Sequence, residues 1–230
     1  MQTGNEKLDF KKMKQYQKRL KTLANTQTVQ KCFYPLYENP IRYFLEVFRM
    51  AWFLHKIIPK DKTLVFLCIG ASNYMGDVFG PYIGGLLKEN MNRKILVYGD
   101  LKDCVHGGNL LKYIELLYKK HKDDFVIAID AGTSSAYRKG SVVVYQRGIC
   151  PGRSYYSGTA KIGDISILGF TERNYEELLK LKGTDSYLYD MIYFTTRSII
   201  KVLEWFGTCT WDVPVLMEEQ KIVKERKIRK

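Results

Sequence analysis

The chain has 230 residues, 46% of them apolar and 27% charged, with a formal net charge of +13. That composition suits one globular domain with a sizeable core and excludes a disordered chain. No apolar run approaches the ~18 residues needed to span a bilayer, and the lysine-rich opening "MQTGNEKLDFKKMKQYQKRL" has no apolar segment of the kind a secretory signal carries. The expectation is a cytoplasmic protein. Its five cysteines are scattered singly with no C-x-x-C, which argues against a disulfide framework or a structural zinc site.

The positive charge gathers at the two ends. Residues 1–31 hold eight Lys/Arg against two acids, and residues 217–230 hold six against three, leaving +4 for the body. Solvated basic tails are the simpler reading of such ends, so nucleic acid is not the expected partner. A polar, basic arm over residues 1–38 comes first. In "NPIRYFLEVFRMAWFLHKIIP", over residues 39–59, Asn39 caps a helix, Pro40 fits its first turn and Pro59 stops it. The charges Arg42, Glu46, Arg49 and Lys56 fall on one narrow stripe of this helix. Two readings follow: an interfacial membrane helix, or a helix packed almost fully into the protein. The thin charged stripe favours the second.

An alternation follows over residues 60–210. "KTLVFLCIG" is a strand buried on both faces, "DVFGPYIGGLLKEN" a helix and "KILVYG" a strand. "NLLKYIELLYKKH" is a helix, and "DFVIAIDAG", "GSVVVYQRG" and "GDISILGF" are strands. "NYEELLKLK" and a long segment opening at Asp185 are helices. This order predicts a single α/β domain, a mostly parallel twisted sheet flanked by helices, with a helical N-terminal extension and a basic tail over 211–230.

Open α/β sheets bind ligands beyond the carboxyl ends of their strands. The loops there contain Asp77, then His106 and Asn109, then Asp130. Asp130 is the sharpest candidate, because "VIAID" runs from a buried strand straight into an acid. Asp77 has a structural alternative, capping the helix that follows it. Asp100 and Asp103 read as solvated. "GASNYMGD" matches no phosphate-binding glycine loop, and there is no G-x-S-x-G. Paired acids remain. They can share one proton, one acting as base and the other as acid. Alternatively Asp77, Asp130 and His106 can hold a divalent metal ion.

"CIG", "GDVFGP", "VHGGNL", "AIDAG" and "KIGDISILGF", in order from Thr63 to Phe170, resemble the sporulation protein YyaC family. That family is similar to the spore germination protease and, more distantly, to the hydrogenase maturation proteases, with their phosphorylase/hydrolase-like α/β fold. The resemblance implies a sporulation-associated peptidase of the sporulating cell or forespore, acting on a peptide or protein. Asp77 and Asp130 would be its catalytic acids, supported by His106, Asn109, Gly76 and Gly70. The alternative is an inactive sporulation factor that uses the same cleft to bind a peptide or protein, and a homo-oligomer stays open. Three positions depart from the family pattern. "ASNYMGD" lacks the arginine usual in that loop, Gly107 replaces alanine, and Tyr155 and Tyr156 enter a loop that is otherwise small and glycine-rich.

Overall fold

The computed structural model describes residues 30–35, 39–90, 95–150, 161–172, 176–177 and 186–207. Tyr155, Tyr156, Asp185 and most of the helix expected at "NYEELLKLK" lie outside them. The described elements are β1 (Gln30–Phe33), α1 (Pro40–Ile57), β2 (Leu64–Cys68), a 3-10 turn (Met75–Asp77) and α2 (Phe79–Asn90). They continue with β3 (Ile95–Tyr98), α3 (Leu110–Lys120), β4 (Phe125–Thr133), β5 (Ser141–Tyr145), β6 (Ile165–Glu172) and α4 (Ser186–Trp205).

The six strands form one sheet in the order β1-β5-β6-β4-β2-β3. The four strands β6-β4-β2-β3 run parallel, while β5 and β1 are antiparallel additions at one edge. This is the expected α/β architecture with a mostly parallel sheet. β1 was not legible as a strand. It falls inside the basic arm, and its four residues pair with β5 from Gln30↔Tyr145 to Phe33↔Val142.

Alternation along the strands sorts the core into two faces. Leu64, Phe66 and Cys68 point to the face covered by α1, α2 and α4, with Met50, Ile83 and Phe194 among the buried side chains there. Val65 and Leu67 point the other way, onto Leu110, Ile114 and Leu117 of α3. Both faces of β2 are therefore covered, which is why its sequence is apolar without a break. Cys68 is fully buried, as its place in the apolar run implies.

α1 begins as its sequence dictates. The Asn39 side chain accepts the Arg42 N–H at 3.1 Å, and Pro40 occupies the first turn. Its packing corrects the sequence reading. Tyr43, Val47, Met50, Ala51 and Leu54 are buried, but the opposite side leaves Ile41, Phe44, Leu45, Phe48 and Trp52 each about half exposed or more. The helix is not packed almost fully into the protein. The thin charged stripe separates two apolar faces, and only one of them finds a partner in the domain.

α2 lies against the sheet at backbone distance. A Cβ at Gly80 would stand 2.2 Å from the Ile69 carbonyl oxygen and 2.9 Å from that of Ile129, and one at Gly84 would stand 1.9 Å from the Gly99 carbonyl oxygen. Any side chain there pushes the helix off the ends of β2 and β4. Gly80→Ala is expected to lower the unfolding free energy by about 3 kcal/mol. Gly85→Ala, which meets nothing within 4 Å, should instead hold or raise stability by up to ~1 kcal/mol. Denaturant unfolding of the two variants side by side checks both.

Candidate active site

β2 connects through α2 to β3 on one side, and β3 returns through α3 to β4 on the other. The gap between β2 and β4 is thus the point where the strand order reverses, the usual crevice of an open α/β sheet. The chain leaves β2 there in a defined way. The Ile69 N–H donates to the Ile129 carbonyl at 2.7 Å and the Gly70 N–H donates to the Val105 carbonyl at 2.8 Å. Gly70 then turns with φ +144°, where a Cβ would stand 2.0 Å from the Asp77 carbonyl oxygen. Only glycine fits that turn.

The loop closes on itself through Asp77, whose Oδ2 accepts the Ala71 N–H at 2.8 Å. The sequence alternative, in which Asp77 caps α2, is not what the structure holds. The carboxylate reaches backward across its own loop, not forward onto the helix. Gly76, buried in the turn, is fixed from β6, where Thr171 Oγ1 donates to its carbonyl at 3.3 Å. Asp130 sits inside β4, not after it. It lies opposite Leu168 of β6, and pairing continues to Thr133↔Glu172. On the other side β2 stops pairing at Cys68↔Ile129. Asp130 is therefore the first β4 residue beyond the end of β2, beside the loop that carries Asp77.

The two carboxyl groups are partly buried and feel each other. Burial pushes Asp130 well above the usual carboxylate range, and the charge of Asp77 pushes it further; the Ala131 N–H opposes only weakly. Burial also raises Asp77, but the Ala71 N–H and the His106 ring pull it back. Asp77 therefore ionises first, and Asp130 keeps its proton longer.

His106 is exposed at the start of the turn before α3. Its Nδ1 accepts the Gly108 N–H at 3.2 Å. Asn109 holds that turn together: its Oδ1 accepts the His106 N–H and its Nδ2 donates to the Cys104 carbonyl, both at 2.9 Å. Asp100, read from sequence as solvated, instead accepts the backbone N–H groups of Lys102 and Asp103 at 2.7 and 2.8 Å and pairs with Lys88. These contacts hold its carboxyl down at about 2. A cleft of about 340 Å³ opens between the two loops, lined by Ala71, Ser72, Asn73, Lys102, His106 and Asn109 among others. Ser72, Asn73 and Lys102 carried no sequence signal; only the meeting of the two loops brings them together.

A metal does not fit the residues present. No three His, Cys, Asp or Glu side chains gather to hold an ion among the described residues. His106, Asp77 and Asp130, the candidate ligands offered by the sequence, are not gathered into such a group. One further acid of the "KIGDISILGF" segment has a structural role. Asp164 Oδ2 accepts the Val126 N–H at 2.8 Å at the amino end of β4, far along the strand from Asp130.

Fold and site together define an α/β protein with a coupled, partly buried acid pair at the reversal point of its sheet. The chain belongs to the DUF1256 family, a family described as protein of unknown function, which matches residues 44–200. It is 35% identical over 108 residues to the uncharacterized protein YyaC of Bacillus subtilis (strain 168), covering 47% of this chain and 53% of that protein. The chain thus spans about half the length of the curated relative it matches. Among solved structures, a NiFe hydrogenase maturation protease, HycI from Thermococcus kodakarensis KOD1, overlaps 66% of this chain and 99% of its own at 16% identity, with a TM-score of 0.45.

The raised Asp130 has a measurable signature. Its folded pKa exceeds its unfolded value, so the native state binds the extra proton and its stability falls as pH rises from about 4 through the folded pKa. Asp130→Asn carries no such titration. Its stability relative to wild type should grow over that window, as read by unfolding at a series of pH values. Asp77→Asn should lower the Asp130 pKa by removing the neighbouring charge, as read by carboxyl-carbon NMR titration; an unmoved pKa would show that the two acids are not coupled.

Proposed function

We propose that the chain is a peptidase in which Asp77 and Asp130 share one proton and act as base and acid on a peptide bond, in sporulating cells. The observation that supports this reading is a pair of partly buried carboxyls at the reversal point of the sheet, both raised by burial, with the charge of Asp77 raising Asp130 further. Asp77, which ionises first, takes a proton from the attacking water. Asp130, which stays protonated, gives its proton to the leaving amine; the roles then reset by one proton passing between them. The peptide would lie across the cleft beside the pair, where Ser72, Asn73 and Lys102 offer polar contacts. The resemblance to sporulation and germination proteins, carried by "GDVFGP" and "AIDAG", agrees with a peptide or protein substrate.

A second reading is supported by the cleft itself. Its lining includes neither acid, so a peptide could be held there without being cut. One experiment separates the two. Purified protein is incubated with extracts of sporulating cells and the products are mapped by mass spectrometry. The peptidase reading expects cleavage that peaks between the pKa values of the two acids and falls at both ends. Asp77→Asn and Asp130→Asn should each lower the rate by about 10²–10⁴-fold with an unchanged unfolding midpoint at low pH. Binding without cleavage, or cleavage unaltered in both variants, overturns it in favour of the second reading.

A further inference from the structure

The outer side of α1 has no partner within the domain. Ile41, Phe44, Leu45, Phe48 and Trp52 are 75%, 51%, 59%, 47% and 55% exposed. Their spacing of three, four and seven residues places them on one stripe, running about 16 Å along the helix axis. Trp205, at the end of α4, extends it by packing against Phe48 and Trp52 with ring centroids 6.2 and 6.3 Å away. With aromatic side chains presenting roughly 200 Å² each, half exposed, the patch is on the order of 500 Å². That is at the upper end of what an ordinary monomer leaves open.

The charge around this patch is net positive. Lys56 stands over the Trp52 ring at 5.2 Å and Lys201 over Phe48 at 5.6 Å, while Lys60 lies over Phe206 beside them. The acids nearby, Glu46 and Glu204, are already paired, with Arg49 and Lys201. The described chain stops at Gly207, two residues beyond Trp205, and the sequence that continues from there ends in "KIVKERKIRK". An apolar, aromatic stripe with a basic rim, in a chain whose sequence continues after Gly207 into a basic segment, matches two requirements of stable attachment to an anionic lipid surface: apolar insertion and charge attraction. No described helix is long and apolar enough to cross a membrane.

We propose that the outer face of α1 seats the protein on an anionic membrane surface, with Phe44, Phe48 and Trp52 entering the interface and the lysines of the rim and C-terminal tail contacting the headgroups. α1 covers the sheet face opposite α3, so the cleft between the loops after β2 and β3 stays open when the protein is seated. This attachment is independent of what the acid pair does.

The test is co-sedimentation of the full chain with vesicles of phosphatidylglycerol and phosphatidylcholine, against phosphatidylcholine alone. The expected result is binding to the anionic vesicles only, weakened by salt. It should fall at least tenfold in the Phe48→Gln/Trp52→Gln double variant and roughly tenfold on deletion of residues 217–230. Brominated lipids should quench tryptophan fluorescence in wild type and much less in the double variant. Both residues are about half exposed and pack on Trp205, so the unfolding midpoint of the double variant is measured alongside; a second variant, Leu45→Gln, repeats the test without touching a ring contact. Binding that survives both variants would show charge attraction alone and overturn the proposal. So would a dimer in sedimentation that the double variant dissociates, since the stripe would then face a second copy. Tighter binding after tail deletion would also overturn it, by making the tail the occupant of the stripe.

Discussion

Everything at the carboxyl edge depends on how closely α2 approaches the sheet. Gly80 lies where a β-carbon would meet the carbonyl oxygens of both Ile69 and Ile129, and Gly84 where it would meet that of Gly99. The helix can therefore rest its backbone on the ends of β2, β4 and the turn after β3 at once. This contact brings the loop carrying Asp77 down beside Asp130. A helix standing one side chain further away would carry the loop of Asp77 away from Asp130 in β4 and leave both acids more open to water. The pair is thus a product of backbone proximity, and the glycines are as much part of the site as the carboxyls.

The environment of the pair sets two demands against each other. Burial raises both acids, and the charge of Asp77 raises Asp130 further, which costs stability at neutral pH. The Ala71 N–H and His106 recover part of that for Asp77 alone. The asymmetry is what makes the arrangement chemically interesting: two identical groups, one given a hydrogen-bond donor and one left nearly without, end with different protonation states. Asn109 serves this indirectly, since it fixes the turn that keeps His106 near Asp77.

Much of this was legible in the sequence because it rests on local pattern. Unbroken apolar runs marked β2 and β4, Asn39-Pro40 marked the start of α1, and the acids at the ends of "CIGASNYMGD" and "VIAID" marked the edge. What was not legible depends on distant partners. β1 is a four-residue segment, two residues polar and two apolar, made a strand by the free edge of β5. The Asp77 bond to Ala71 depends on a loop conformation that no residue type announces, and it takes the place of the capping role that sequence offered as an alternative. Asp100 looked solvated because its partner Lys88 stands on another element. The outer face of α1 misled for a different reason: apolar residues on both sides of a helix imply burial only if both sides are offered a surface, and the sheet offers one.

The antiparallel addition at the sheet edge bears on how the chain is assembled. β1 lies near the start of the polypeptide, yet its partner β5 and the next strand β6 follow only after β2, β3 and β4 have been made. During synthesis the first strand therefore has no ladder partner until β5 has been made. Phe33, buried between Phe53 and Phe194, joins this edge strand to α4 at the other end of the described fold. The two ends of the described fold thus meet in one core cluster through contacts far apart in sequence, the kind that slow folding.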